Sequence, residues 1–155
     1  MTEPTPVLND DVVVFLAGAG SRASAPLVPV PQSDATGRAV STGRAMIQRF
    51  APVAARWQAE HGLSTGIGVG IESGEVVVGN VGAPTFMSYT IIGDPVNVAA
   101  RLMQRAEPNE ILIGPRASLS LHAMLGGSMP LDRRAVKLKG KAEPVEVVTL
   151  RVAPA

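Results

Sequence analysis

The sequence predicts an α+β fold, an α/β sandwich in which one antiparallel-rich sheet carries helices packed on it. Short β-branched runs alternate along the chain with segments of helical period, the pattern of strands interleaved with helices. Apolar residues make up 46% of the chain and aromatics only 3%, so the core must be built mainly from Val, Ile, Leu and Ala. A length of 155 residues suits a single domain with a sizeable core.

The elements follow in order. Val12-Val13-Val14-Phe15-Leu16 reads as a short buried strand. Ala17 to Val30 is rich in Gly, Ala, Ser and Pro without periodicity and reads as a loop. A helix is expected from about Asp34 to Glu60, capped by Ser33 or Asp34, with a kink or break at Pro52. Val40, Ile47, Phe50, Ala54 and Trp57 recur at helical spacing and are expected to face the core. Gly66–Ile71 and Glu75–Gly79, joined through Glu72-Ser73-Gly74, read as a β-hairpin. Strands are expected at Glu110–Ile113 and Val145–Val152, and a short helix at Ser118–Leu125. No internal repeat is visible.

Composition excludes several function classes. Fourteen Lys and Arg against thirteen Asp and Glu give a net charge of +1, with no basic stripe interleaved with aromatics. A nucleic-acid partner is therefore not expected. The absence of cysteine rules out disulfides and thiolate metal sites. No apolar run reaches membrane-spanning length. The start, Met1-Thr2-Glu3-Pro4, lacks the basic region of a secretory signal. A cytoplasmic domain without a membrane partner is the expectation.

The stretch from Tyr89 to Arg101 carries the chemistry. Tyr89-Thr90-Ile91-Ile92 reads as a buried strand, and Gly93-Asp94-Pro95 as a turn into a helix. Asp94 is a strong candidate N-cap, and Pro95 then takes the first helical position, where a missing N–H costs nothing. Asn97 and Arg101 are four residues apart, so they share one helix face near its positive end. A neutral hydrogen-bonding group and a fixed cation there suit a phosphate. An alternative stands beside this reading: Arg101 pairs with a surface carboxylate and Asn97 only extends the cap. Gly66, Gly68 and Gly70 match neither a dinucleotide-binding nor a P-loop pattern; they read as small residues that let a strand pass close to another backbone. His61 and His122 are isolated and read as loop or helix-end residues. Lys137-Leu138-Lys139-Gly140-Lys141 reads, on its own, as a solvated turn.

Several of these segments stand in a familiar order. Gly70-Ile71-Glu72-Ser73-Gly74-Glu75-Val76-Val77-Val78-Gly79-Asn80-Val81-Gly82 precedes Ile92-Gly93-Asp94-Pro95-Val96-Asn97-Val98-Ala99-Ala100-Arg101. Ala106-Glu107-Pro108-Asn109-Glu110-Ile111-Leu112-Ile113 and Leu138-Lys139-Gly140-Lys141-Ala142-Glu143-Pro144-Val145 follow. Together they resemble the catalytic domain of the class III adenylyl and guanylyl cyclases. The resemblance covers residues 31–155 and places residues 1–30 only weakly. It implies a ferredoxin-like cyclase fold and conversion of a purine nucleoside triphosphate, ATP favoured over GTP, to its 3′,5′-cyclic monophosphate and pyrophosphate. It further implies that Asn97 positions the ribose and Arg101 stabilises charge on the α-phosphate. By the same resemblance, Lys139 contacts the β- and γ-phosphates and Thr90 reads the purine edge.

The family also uses two Mg2+ or Mn2+ ions held by two aspartates, at a dimer interface where the metal ligands come from one protomer and the Asn/Arg pair from the other. No strand bearing the first aspartate precedes Val12, so the first strand is expected to be missing. Asp10, in Asn9-Asp10-Asp11-Val12, matches the second aspartate in outline; alternatively, Asp10 and Asp11 are solvated charges near the chain start. The resemblance thus implies a homodimer, expected to be inactive, or a heterodimer with a complete cyclase domain. Two other readings stay open: a non-catalytic cyclase-like regulatory or dimerisation module, and a decayed reading frame.

Overall fold

The computed structural model describes residues 7–18, 23–26, 33–83, 86–126 and 132–153. Seven strands, β1 (Val7–Gly18), β2 (Ala23–Pro26), β3 (Gly68–Ala83), β4 (Phe86–Ile92), β5 (Glu110–Ile113), β6 (Arg133–Val136) and β7 (Val145–Arg151), form one sheet. Its order is β2-β1-β3-β5-β7-β6, with β4 paired to the far end of β3. Among the described residues only β3 and β5 pair in parallel; every other pair is antiparallel. The sheet is uninterrupted, since β3 is flanked directly by β1 and β5.

The helices α1 (Ala35–His61) and α3 (Pro115–Met124) cover one face, and α2 (Asp94–Arg105) covers the other. β5 shows why. Its residues are all buried, with Ile111 and Ile113 packed among Ala39, Ile47, Ala117 and Leu121. Leu112, on the opposite side of the pleat, meets Val98, Leu102, Leu138 and Val147. This three-layer α+β sandwich is the predicted fold class.

Several elements differ from the sequence-based expectation. The hairpin expected through Glu72-Ser73-Gly74 does not form: β3 runs straight through these residues, which pair with Val14, Val13 and Val12 of β1. Glycine and serine suggested a turn, but a full-length neighbour strand holds the segment extended. The hairpin lies further on, where Val77 to Ala83 pair with Ile92 to Phe86. The expected loop over 17–30 contains β2, which pairs with Val14 to Ala17. Helix α1 continues through Pro52, yet its burial ends with Ile47. Trp57 is therefore 39% exposed and meets Phe50 edge-to-face at 6.0 Å, not the core. The strand expected to be buried before α2 is only half covered at Thr90 and Ile91, and Ile92 is exposed. β6 was not legible as a strand, because its Arg133-Arg134 start lacks apolar alternation.

The glycine alternation finds its reason in α2. A Cβ on Gly70 would overlap the Ala99 carbonyl oxygen and lie 2.5 Å from the Met103 nitrogen. One on Gly68 would lie 3.0 Å from the Ala106 Cβ. β3 thus passes against the backbone of α2 with no side chain between them, as expected.

Glu72 is a buried carboxylate that caps α3 from a neighbouring strand. Its Oε1 accepts from Ala117 N at 3.0 Å and Ser73 N at 2.9 Å, satisfying one free amide of the helix start. Gly114, at the helix N-cap, leaves the room: a Cβ there would stand 2.7 Å from the Glu72 carboxyl carbon. Burial pushes the Glu72 pKa above the ordinary carboxylate range, against the backbone N–H donors and the Arg116 charge that pull it down. The folded chain therefore holds this proton more tightly than the unfolded chain. Its contribution to stability is present below the ordinary carboxylate pKa and lost as pH rises through the raised folded value. Glu72→Gln keeps an acceptor and is expected to flatten that slope, read from urea midpoints between about pH 4 and pH 7. Glu72→Ala strands the two amides and is expected to cost about 2 kcal/mol.

Candidate active site

The candidate site is built where β4 hands the chain to α2. Gly93 is the N-cap, and its backbone presses on β3: a Cβ would stand 3.0 Å from both the Glu75 carbonyl oxygen and Val76 Cγ1. Asp94 is consequently the first helical residue and not the cap, and no side chain caps this helix. The close approach to β3 demands glycine at the cap position, so the acid moves one place on. There it still favours the positive helix end. Its Oδ2 accepts from Lys141 Nζ at 2.9 Å. Because that pair is exposed, Asp94→Ala is expected to cost under about 1 kcal/mol in a denaturant melt, less than loss of a true cap would.

Asn97 and Arg101 lie on successive turns of α2, with Val98, Ala99 and Leu102 of the same helix buried beneath them. The Asn97 side chain is exposed and its Nδ2 donates back to the Gly93 carbonyl in a long contact of 3.5 Å. This is the cap-extending role of the alternative reading, in a geometry weak enough to exchange. Arg101 behaves otherwise. Among the described residues it forms no ion pair. Its guanidinium lies beneath the Lys139-Gly140-Lys141 turn, with Nη1 3.5 Å and Nη2 3.6 Å from where a Gly140 Cβ would stand.

That turn is well anchored. Leu138 is buried against α2, Lys141 N donates to the Leu138 carbonyl at 3.2 Å, and Gly140 adopts φ 82 in the left-handed region. The Lys141–Asp94 pair ties its far end to the helix start. Lys139 is exposed at its tip and, like Arg101, has no carboxylate partner among the described residues. The structure thus brings Asn97, Arg101 and Lys139 to one edge, a cluster of donors with unspent positive charge. Thr90 is half-buried on β4 opposite Gly79.

Asp10 lies within β1 and not in a free tail. The β1–β3 register shifts between Asn9↔Val76 and Val12↔Gly74, so Asp10 and Asp11 form a bulge facing Glu75. Its partner Glu75 has its carbonyl oxygen 3.0 Å from where a Gly93 Cβ would stand, which sets the bulge's backbone near the start of α2. Sequence reasoning missed this proximity, since nothing in the chain signals a bulge.

A two-metal centre needs several oxygen ligands in one place. Among the described residues no three His, Cys, Asp or Glu side chains converge. The side chains of Asp10 and Asp11 lie outside the described residues. His61 ends α1 and is exposed, and His122 is half-buried on α3, both away from this edge. No helix among the described residues is long and apolar enough to cross a membrane.

Comparison with known proteins agrees with this architecture. The family model of the adenylate and guanylate cyclase catalytic domain matches residues 29–151. An uncharacterised protein of Mycobacterium tuberculosis is 32% identical over 139 residues, 88% of this chain and 22% of that protein. An adenylate cyclase of Anabaena cylindrica is 34% identical over 87 residues, 55% of this chain and 17% of that enzyme. The chain thus spans about a fifth of the length of these relatives. Among solved structures, the adenylyl cyclase CyaB from P. aeruginosa superimposes with a TM-score of 0.76 at 21% identity, covering 97% of both chains. The guanylyl cyclase Cya2 gives 0.74 at 21% identity, covering 92% of this chain and 93% of that one. These two likenesses establish the fold. With the family model covering most of its length, the chain belongs to the adenylate and guanylate cyclase catalytic-domain family.

Proposed function

We propose that this chain supplies the substrate-binding half of a composite nucleotide cyclase site in the cytoplasm and is silent without a partner that brings the metal carboxylates. Asn97 orients the ribose so that its 3′-hydroxyl faces the α-phosphorus. Arg101 bears on the α-phosphate, where charge grows as the new P–O bond forms and pyrophosphate leaves. Lys139 holds the β- and γ-phosphates, and Thr90 reads the purine edge. The observation that carries this reading is Arg101 itself, without a carboxylate partner among the described residues and set beneath the Lys139-Gly140-Lys141 turn. A guanidinium held under that turn without an acid keeps its planar fork of donors available to a phosphate.

The arm formed by β3 and β4 supports assembly. Val77 and Ile92 pair across it and are 37% and 54% exposed, an apolar surface suited to a partner. Phe86 and Met87, two more apolar residues of this arm, have side chains outside the described residues. Mg2+ or Mn2+ enters through the partner, because Asp10 alone cannot bridge two ions.

The test is cyclic nucleotide production by the purified chain with Mn2+ and ATP or GTP, alone and with a complete homologous domain. Nucleotide binding without turnover is expected for the chain alone; robust turnover by it would contradict the composite site. A threonine hydroxyl both donates and accepts, so it suits adenine without excluding guanine. Thr90→Asp is therefore expected to shift the ATP/GTP ratio of kcat/KM by about tenfold, one hydrogen bond's worth, without abolishing turnover of the mixture.

A further inference from the structure

Helix α2 has a second cationic end. Asn97, Arg101 and Arg105 are spaced four apart and share a face of α2, and the segment from Arg134 to Lys141 runs beside that face in the opposite direction. Lys141 meets Asp94 at the helix start, the Gly140 turn lies over Arg101, and Lys137 and Arg134 line one surface depression together with Arg105 at the helix end. There the two elements border an open surface depression of about 310 Å³ lined by Arg105, Arg134, Ala135, Val136 and Lys137.

The charges of this depression are not balanced. Arg134 is neutralised, since its Nη2 donates to the buried Glu110 carboxylate at 2.8 Å. Glu107, the other acid nearby in sequence, pairs with Arg151. Arg105 and Lys137 have no carboxylate within ion-pair distance among the described residues. One cation in the last turn would complement the helix dipole. Two uncompensated cations, Arg105 and Lys137, around one open depression exceed that need. The volume sits at the small end of ligand pockets, and the lining offers guanidinium and ammonium donors but no aromatic surface. Such a lining selects charge and oxygen geometry over a base or an apolar body.

We infer that the depression between the end of α2 and β6 is an anion subsite, separate from the Asn97–Arg101–Lys139 edge, that takes a small phosphorylated anion. Arg105 and Lys137 supply the uncompensated charge, and Arg134, fixed by Glu110, sets the floor. The site stands independently of the cyclase reading, because it uses none of that reading's residues.

The probe is inorganic pyrophosphate, titrated calorimetrically at low and at physiological ionic strength. The background is Arg101→Ala/Lys139→Ala, which removes the other phosphate-binding edge. In this background pyrophosphate is expected still to bind, more weakly as salt rises. Adding Arg105→Ala and Lys137→Ala is expected to weaken it at least about tenfold, and Arg105→Lys with Lys137→Arg is expected to restore most of it. Both residues are exposed, and an unchanged melting curve confirms that the variants fold. A background variant that binds no pyrophosphate, or binding that survives loss of Arg105 and Lys137, would overturn the assignment. Loss of nucleotide binding by the Arg101→Ala/Lys139→Ala pair reports on the proposed function alone, so the two can fail separately.

Discussion

Gly70→Ala is expected to cost at least about 3 kcal/mol, lowering the melting temperature by roughly 6–12 °C in a domain of this size. The added methyl would meet the Ala99 carbonyl oxygen and the Met103 nitrogen, both backbone atoms of α2. Neither can rotate away, so α2 or β3 must shift bodily. Ala99 and Leu102, fully buried beneath this helix, would lose their packing with it. Because Asn97 and Arg101 ride on the same helix, ligand binding should fall together with stability. The check is a thermal melt beside a nucleotide titration. A melt within 2 °C or so of the wild type would mean that the two backbones do not touch as described. Gly79 is the control: among the described residues nothing lies within 4 Å of a Cβ there.

Arg101→Ala is expected to lower turnover of the mixed dimer by a hundredfold or more, roughly 3 kcal/mol of transition-state stabilisation. Its stability should hardly change, because the guanidinium makes no ion pair among the described residues and the helix is held by Val98, Ala99 and Leu102. Arg101→Lys should recover little, since an ammonium cannot reproduce a planar fork of donors. Loss of rate without loss of stability separates a substrate-facing arginine from a structural one. If Arg101→Ala instead unfolds the chain, the residue belongs to the fold and the site assignment fails.

The fold class, the extents of α1, β5 and β7 and the packing role of the 66–70 glycines were all legible in the sequence. Each rests on a local rule: helical spacing for α1, short β-branched runs for the strands, and an absent Cβ where two backbones meet. What stayed hidden depends on distant partners. Ser73-Gly74 carries turn chemistry, but β1 lies alongside and keeps it extended. Asp94 has the chemistry of an N-cap, but Gly93 takes that position because Glu75 and Val76 crowd it. Trp57 has core spacing, yet α1 outruns the sheet it covers. For the candidate site, spacing put Asn97 and Arg101 on one face. The approach of the Lys139-Gly140-Lys141 turn to Arg101, and of the Asp10 bulge to the start of α2, arises only when the sheet is assembled.

The most direct measurement pairs this chain with a complete cyclase domain whose own Asn/Arg pair has been removed. In that heterodimer the only competent site would combine the partner's metal carboxylates with Asn97, Arg101 and Lys139. Neither protein alone is expected to make cyclic nucleotide from ATP with Mn2+, and activity is expected to emerge on mixing and to vanish with Arg101→Ala. Heterodimers demonstrated by sedimentation that remain inactive with the wild-type chain would contradict the assignment.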